Sequence, residues 1–423
     1  MVDPQTGPPV LLVLGGSTDQ IFMIRTARRM GLRTACLDGN PAAPGLQAAD
    51  LGAAIDFSDL DAVFAWIDER RRAGENLAGV STMGSDVPHL LAAISARYGW
   101  PGPTAETGRL ATDKLAMKER FAERSVPVPR FAAVAAAADA RDRWRAWECS
   151  RVIVKPTDRA GSRGVQVLSD ESALPSAVET ARRESRTGGV ILEEFVDGPQ
   201  ISTETVVLQG RAVTPGFADR LYEGMEVFHP QIMENGGWLP SQFAGTPVQG
   251  QVERLVESAA AALGIATGVA KGDVVVCPRR GPMMIEMAAR LSGGDFSAGL
   301  VPLGTGVNYV EAVIALALGR EPDRDRLQPS RRLVVANRYF FPPPGRLDEV
   351  DVPADFSARP GLAKLEITRR PGDVLPRIAS HGDRAGVMVL TGGSRAEVQE
   401  LIDEGYRRVR FRVDGSWRSG LPE

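Results

Sequence analysis

Short apolar runs alternate with stretches in which apolar residues recur every three or four positions over the first part of the chain. The runs predict strands at 10–14, 34–37 and 79–82, and the helical spacing predicts helices at 19–30, 60–72 and 87–97. Alternation of this kind is typical of an open, mostly parallel sheet with helices packed on its faces. Pro101 and Pro103 then break the pattern and indicate a domain edge.

The turn between the first strand and helix is Gly15-Gly16-Ser17, and the second strand ends at Asp38. A glycine turn and an acid after the second strand are features of dinucleotide-binding folds. The complete three-glycine fingerprint is absent, so a structural open sheet is favoured over a nicotinamide site.

The middle of the chain combines strands, lysines and a glycine-rich loop. A helix is predicted over 113–124 with Lys114 and Lys118 one turn apart, and a strand over 151–155 ends in Lys155. The loop 157–164 can wrap phosphate oxygens with its backbone N–H groups, although an ordinary flexible hairpin has the same composition. Further predicted elements are a strand at 165–168, strands at 190–196 and 201–208, a loop-rich segment containing Arg220, Glu226 and His229, and a helix at 248–263.

The segment 268–295 contains the strongest candidate chemistry. Apolar runs at 273–277 and 283–287 flank a turn, so they predict a hairpin with Asp273 and Glu286 on neighbouring strands. Adjacent carboxylates repel unless a cation lies between them, and hard oxygen ligands suit Mg²⁺ that carries a nucleotide. Arg290 follows four residues after Glu286, and its guanidinium could hold a phosphate or carboxylate oxygen. The alternative interpretation of the same segment is a hairpin with two solvated acids and a surface arginine that bind nothing.

Composition narrows the class of protein. The net charge of -3 provides no electrostatic case for nucleic-acid binding, and no apolar run is long enough to span a membrane. Three widely separated cysteines form neither a disulfide framework nor a zinc site, which is typical of a reducing, cytoplasmic location. Only five of the 50 basic residues are lysine. Each lysine therefore marks a position where a compact ammonium is needed, with chance survival left open for Lys118 and Lys364.

Four motifs, in this order and at these separations, resemble the ATP-grasp superfamily, most of all the carboxylate–amine ligases that join amino acids. They are Asp113-Lys114, VIVKP with AGSRGV at 152–165, LEEFVDG at 192–198 and IEMAARLSGGD at 285–295. The resemblance covers about residues 10–320 well and the remaining tail loosely. It implies an α/β ATP-grasp fold with an open-sheet N-terminal domain (1–108), a small lobe (109–190), a large lobe (191–325) and a C-terminal α+β cap (326–423).

The resemblance also implies roles for individual residues. The cofactor ATP would be bound at its phosphates by Lys114 and Lys155, with a loop containing Gly161, Ser162 and Gly164 over the γ-phosphate. The backbone of a hinge formed by Glu193, Glu194, Phe195 and Val196 would meet the adenine edge. Gln200 and Glu204 would be the polar groups near the ribose. Asp273 and Glu286 would hold Mg²⁺, for which Mn²⁺ could substitute. Arg290 would steady an acyl phosphate as a catalytic group, together with Arg220 and His229. The substrate pocket would comprise Glu226, His229, Ser292, Gly293 and Gly294.

One position departs from the family pattern of Glu, any residue, Asn, any residue, Arg. The chain has Glu286-Met287-Ala288-Ala289-Arg290, and Ala288 offers no oxygen ligand. Two-metal geometry is therefore in doubt, whereas one Mg²⁺ held by Glu286, phosphates and water is not.

The implied activity is an ADP-forming ligation of a small-molecule carboxylate and an amine. No nucleic-acid or membrane partner is expected, and the protein could form a homodimer. Two alternatives stay open. One is a ligase that activates bicarbonate or formate, and the other is a nucleotide-binding protein without catalysis, for which Ala288 is the motivation. In the tail, strands are predicted at 333–341 and 386–390 and a helix at 396–405, and His381 is interpreted as part of a structural cap.

Overall fold

The computed structural model describes residues 7–422 of the chain; residues 1–6 of the predicted N-terminal domain and residue 423 lie outside the described part. The architecture is mixed α/β with four sheets, which confirms the predicted fold class. Within residues 7–422, none of the helices combines the length and apolarity that crossing a bilayer demands.

The N-terminal part is an open parallel sheet in the order β3-β2-β1-β4. Its elements are β1 (Val10–Leu14), α1 (Thr18–Arg29), β2 (Arg33–Asp38), α2 (Pro44–Ala48), β3 (Leu51–Ala54), α3 (Leu60–Arg72), β4 (Leu77–Thr82) and α4 (Pro88–Tyr98). The predicted strands and helices are all present within two residues of their expected bounds. The additional strand β3 lies at the sheet edge and is half exposed, so it lacks the apolar run that marks the others.

The small lobe is an antiparallel sheet in the order β5-β8-β6-β7. Its elements are α5 (Ala105–Leu110), α6 (Lys114–Glu123), β5 (Phe131–Ala133), α7 (Ala137–Trp147), β6 (Val152–Pro156), β7 (Gln166–Leu168), α8 (Leu174–Glu184) and β8 (Val190–Glu194). The whole of β8 pairs with β5 and β6, so this sheet extends past the predicted boundary at residue 190 and ends at Glu194.

The large lobe supplies five strands of an eight-stranded sheet in the order β13-β12-β9-β10-β11-β14-β18-β16. Its elements are β9 (Gln200–Leu208), β10 (Arg211–Leu221), α9 (Met225–Phe228), β11 (Gly236–Leu239), α10 (Pro247–Ala262), β12 (Gly268–Cys277), β13 (Gly281–Ala288), α11 (Val301–Thr305) and α12 (Tyr309–Ala317). Arg220, which was expected in a loop-rich segment, lies in β10 and pairs with Gln200. The interpretation as loop was wrong because Gly216 and Pro215 interrupt the strand pattern at a bulge.

The C-terminal part completes that same sheet. Its elements are β14 (Val334–Phe340), β15 (Gly345–Asp351), α13 (Ala354–Ser357), β16 (Leu362–Ile367), β17 (Val374–Leu375), β18 (Gly386–Gly392), α14 (Arg395–Arg408), β19 (Arg410–Val413) and β20 (Ser416–Ser419). Strand β14 pairs with β11 of the large lobe over four residues, so the predicted cap shares its backbone hydrogen bonds with the core.

Candidate active site

A buried carboxylate holds two lysines together at the junction of the lobes. The Glu193 Oε1 atom on β8 lies 2.7 Å from Lys155 Nζ on β6, and Glu193 Oε2 lies 3.2 Å from Lys118 Nζ on α6. All three side chains are at most 6% exposed. Burial, only partly opposed by Glu193, lowers the pKa of Lys118 to about 8. Burial alone would raise the pKa of Glu193, but the two lysines hold it below its usual value.

The third lysine connects helix α6 to the hairpin of β12 and β13. Asp113 caps α6 by accepting from the N–H groups of Leu115 and Ala116, which sets Lys114 in the first helical turn. The Lys114 Nζ atom lies 3.3 Å from Glu286 Oε1 and donates to the Arg159 carbonyl at 2.7 Å. Burial opposes ionisation of Glu286, but Lys114 and its neighbouring lysines bring its pKa down to about 2. Glu286 is therefore an anion throughout the physiological range.

The predicted hairpin is confirmed, since Asp273 on β12 pairs directly with Glu286 on β13. Asp273 Oδ1 contacts the Lys271 ammonium and lies 2.8 Å from Arg220 Nη1. Arg220 Nη2 is 2.6 Å from Glu234 Oε2. Although burial acts against it, Asp273 and the other neighbouring groups raise the pKa of Arg220 well above its ordinary value. The predicted metal carboxylates thus lie in a network of fixed cations.

Arg290 lies where the hairpin meets the N-terminal sheet. Met83, just after β4, forms a parallel bridge with Leu291, so the carboxyl end of β4 runs beside this loop. Arg290 Nε is 3.8 Å from Asp86 Oδ1, and neither buried atom has a hydrogen-bond partner among residues 7–422. Unpaired buried polar atoms are costly, so Arg290 Nε and Asp86 Oδ1 are candidates for contact with a bound group.

The glycine loop is held by the C-terminal part of the chain. The His381 N–H donates to the Gly161 carbonyl at 3.0 Å, and His381 Nε2 lies 3.1 Å from Ser162 Oγ. Gly161 and Gly164 have φ of 72° and 70°, values that favour glycine. Burial, followed by Arg384 and Arg220, lowers the pKa of His381 well below its ordinary value. His381, interpreted from sequence as part of a plain cap, instead contacts the candidate phosphate loop.

The N-terminal domain contributes a carboxylate that sequence reasoning missed. Asp19, at the start of α1, accepts from the Gly294 N–H at 3.3 Å, and a Cβ atom on Gly293 would lie 2.6 Å from Asp19 Oδ2. Burial and the nearby Asp295 raise the pKa of Asp19 to about 6. Asp295 in turn accepts from Lys364 Nζ at 2.9 and 3.0 Å. Glycine at 293 is therefore required for the close approach of Asp19, whereas a Cβ atom on Gly294 would lie 2.6 Å from Tyr339 Oη.

Asp19→Asn should stabilise the protein at pH 7.5 and have little effect at pH 4. Because the folded-state pKa is raised, Asp19 favours folding only while protonated, and that contribution is lost as the pH rises from about 4 through about 6. The gain at pH 7.5 should be on the order of 1–3 kcal/mol. Thermal unfolding at both pH values tests this, with Asp61→Asn on exposed α3 as control. A lower melting temperature for Asp19→Asn at pH 7.5 would contradict the assignment.

Two predicted ligand contacts are not available in this geometry. Glu204 is fully buried, and its carboxylate accepts from the hydroxyl groups of Ser292, Ser297 and Tyr309. Burial raises its pKa. Glu204 therefore does not face a nucleotide as expected, and the Ser292 hydroxyl, predicted in the substrate pocket, is committed to Glu204. The pattern of β9 shows a mid-strand acid but cannot show what covers it.

In the predicted hinge, residues 193–196, some backbone N–H groups already donate hydrogen bonds within the protein and one does not. The Glu194 and Phe195 N–H groups donate to the carbonyls of Arg130 and Arg151 at 2.9 and 3.1 Å. Val196 makes no hydrogen bond within residues 7–422 and packs with Val275, Cys277, Met283 and Ile285. Of the predicted hinge residues, only Val196 therefore offers a free backbone N–H beside an apolar surface. Gln200 follows at the start of β9, half exposed.

Glu226 and His229 lie apart from these groups. Both are exposed, and neither forms a hydrogen bond or ion pair to the site within the described residues. Their segment contacts the small lobe instead, where the Val167 N–H donates to the Pro230 carbonyl at 2.7 Å. The structure does not bring this predicted pair together with Arg290.

The remaining arrangement suits ATP and a divalent cation. Lys114 and Lys155 offer ammonium groups for phosphates, Glu286 is ionised, and Arg290 carries an unpaired N–H. No group of three or more His, Cys, Asp or Glu side chains able to hold a metal is found among residues 7–422. A cation here would therefore complete its coordination with phosphate oxygens and water, as is usual for Mg²⁺ in nucleotide sites.

Comparison with known families identifies two regions of the chain. A family model described as an ATP-grasp domain matches residues 111–294, and one described as L-amino acid ligase C-terminal domain 2 matches residues 338–414. The first match contains four of the five lysines, the glycine-rich loop 157–164 and the hairpin. The second contains His381 and Lys364.

Relatives and solved structures extend the likeness along the chain. An uncharacterized protein, y4rH, of Sinorhizobium fredii is 26% identical and covers 96% of this chain and 83% of its own length. A D-alanine–D-alanine ligase of Ralstonia nicotianae is 28% identical over 75% of this chain and 92% of its own. The crystal structure of an L-amino acid ligase from Bacillus licheniformis superposes with a TM-score of 0.80 at 19% identity, covering 95% and 98% of the two chains.

Proposed function

This chain is an ATP-grasp ligase, an ADP-forming enzyme that makes C–N bonds, and we propose that it joins amino acids through an acyl phosphate. The observation that carries the proposal is the convergence of Lys114, Lys155, Glu286 and Arg290 between the lobes, beside a loop held by the C-terminal part. The match of that C-terminal part to an L-amino acid ligase domain supports amino acids as the substrate class.

In the first step, a substrate carboxylate oxygen attacks the γ-phosphorus of ATP and the bond to the ADP oxygen breaks. The charge that develops on the transferred phosphoryl group is met by Lys114, Lys155 and the guanidinium of Arg290. Val196 and the apolar residues around it receive the adenine, and Gln200 receives the ribose. Asp273 and Glu286 would hold Mg²⁺, which when bound neutralises phosphate charge.

In the second step, the amine nitrogen of the other substrate attacks the acyl carbon and phosphate leaves. The attacking ammonium group must first lose a proton, and a carboxylate with a pKa of about 6 is suited to receive it. Asp19 is this group, because it lies against Gly293 and Gly294 of the predicted substrate pocket. Glu226 and His229 can contribute to amino-acid recognition only if closure of the lobes carries their segment to the cleft.

Incubation with ATP, Mg²⁺ and a panel of amino-acid pairs should release ADP and phosphate, not AMP and pyrophosphate. Every phosphate-directed group named above gathers at the terminal phosphate, and none is assigned to the α-phosphate. Nucleotide chromatography identifies the products, and mass spectrometry identifies the dipeptide. Bicarbonate and formate belong in the same panel, since ADP release with either one alone would favour a different substrate class.

Arg290→Ala should lower turnover about 100- to 1000-fold while ATP affinity changes little, because its guanidinium acts on the transferred group. Arg279→Ala, in the exposed turn between β12 and β13, is the matched control and should behave as wild type. AMP as the main product, or an Arg290→Ala enzyme of normal turnover, would refute the proposed mechanism.

A further inference from the structure

Lys271 lies at the centre of the strands that carry the candidate metal carboxylates. On β12 it pairs with Ala288 of β13 on one side and with Glu204 of β9 on the other. Because side chains alternate along a strand, Lys271 and Asp273 point to the same face. Lys271 thus stands directly across from Ala288, which offers no oxygen ligand.

The Lys271 ammonium is a fixed, largely enclosed charge. It contacts Asp273 Oδ1, the oxygen that Arg220 Nη1 also approaches at 2.8 Å, and its side chain is 14% exposed. Its charge also contributes to the lowered pKa of Glu286. The Lys271 ammonium therefore interacts with both Asp273 and Glu286 instead of extending into solvent.

The same location is unfavourable for a second divalent ion. Ala288 is 3% exposed and supplies no oxygen, and Asp273 Oδ1 already meets two cations. An ammonium and a divalent ion a few ångströms apart repel each other strongly away from bulk water. Lys is suited to replace an ion because its ammonium is a compact point charge with three donors.

We propose that the Lys271 ammonium, paired with Asp273, is the resident second cation of this site, so that the enzyme binds its nucleotide with a single divalent ion held by Glu286, phosphate oxygens and water. The inference rests on the proposed function, because it presumes that a nucleotide and a metal bind at this hairpin. Lys271 then contributes a permanent positive charge toward the phosphates where a second ion would otherwise be needed.

The test counts Mn²⁺ bound per chain by electron paramagnetic resonance, together with bound nucleotide, in complexes isolated with a non-hydrolysable ATP analogue. Wild type should carry one Mn²⁺ per nucleotide. Ala288→Asn should still carry one, because the ammonium remains. The double variant Lys271→Ala/Ala288→Asn should carry two, and its charge-retaining control Lys271→Arg/Ala288→Asn should carry one.

Two Mn²⁺ in wild type or in Ala288→Asn alone would overturn the inference, as would a folded double variant that stays at one. The wild-type and single-variant counts decide the question even if the double variant does not fold. Failure of the proposed function is a separate result, because wild type would then retain no nucleotide analogue at all.

Discussion

Glu286→Gln is expected to reduce ligase turnover by at least about 1000-fold, because a neutral amide is a poor ligand for Mg²⁺ and a poor partner for a buried ammonium. In the protein, Glu286 has a pKa of about 2 and lies 3.3 Å from Lys114 Nζ. It is therefore firmly held as an anion. Asp273, by contrast, is already paired with Lys271 and Arg220.

The measurement is turnover as a function of Mg²⁺ concentration, combined with calorimetric nucleotide binding in the absence of metal. Metal-free binding of the nucleotide should change far less than turnover, since the lysines that contact phosphate remain. Glu179→Gln, on the exposed side of α8, controls for the loss of a surface carboxylate. Full activity of Glu286→Gln at ordinary Mg²⁺ would show that Glu286 is not a metal ligand.

Glu193→Gln is expected to lower the free energy of unfolding by about 3–5 kcal/mol, because it leaves two buried ammonium groups without their counter-charge. Lys118 and Lys155 both lie within 3.2 Å of the Glu193 carboxylate, and no other carboxylate contacts either of them among residues 7–422. Because Glu193 raises the pKa of Lys118, the pKa in the variant should fall below the wild-type value of about 8, and the variant should recover part of its stability as the pH rises from 7.5 to 9.5.

Urea unfolding at pH 7.5 and pH 9.5 measures both effects. The matched control is Glu194→Gln, one residue along β8, whose carboxylate pairs with Arg130 and Arg280 near the surface. These arginines are 43% and 41% exposed, so water replaces the lost partner and the cost should be below about 1 kcal/mol. Equal destabilisation by the two substitutions would mean that the Glu193 cluster has no special energetic role.

Hydrophobic periodicity predicted the elements that bury one continuous face or run. The parallel strands β1, β2 and β4, the helices between them and the hairpin of β12 and β13 all carry such a pattern, and the structure confirms them. Strands β3 and β10 were missed because the first is a half-exposed edge and the second is interrupted by a bulge near Gly216. Burial on one face is a local property of sequence, whereas pairing at an edge or across a bulge is not.

The residues of the candidate site also divide into those that could be recognised in the sequence and those that could not. Lys114, Lys155, the glycine loop, Glu286 and Arg290 stand in motifs whose order and spacing could be recognised in the sequence. Asp19, Asp86, Lys364 and His381 could not, because each comes from another part of the chain and reaches the site only through packing. Lys118 lies one turn after Lys114, but its pairing with Glu193 also depends on packing. The scarcity of lysine was the one signal that bore on Lys118 and Lys364, and chance explained it equally well.

By itself, the sequence determined which groups can carry charge, where the apolar faces fall and where the missing oxygen of Ala288 lies. The tertiary structure alone decided that Glu204 is enclosed by hydroxyl groups, that Asp19 fits against two glycines and that Lys271 stands across from Ala288. The reason is physical: the pKa and availability of a charged side chain depend on its burial and on neighbours within a few ångströms. Those neighbours come from strands and domains that lie far away along the chain.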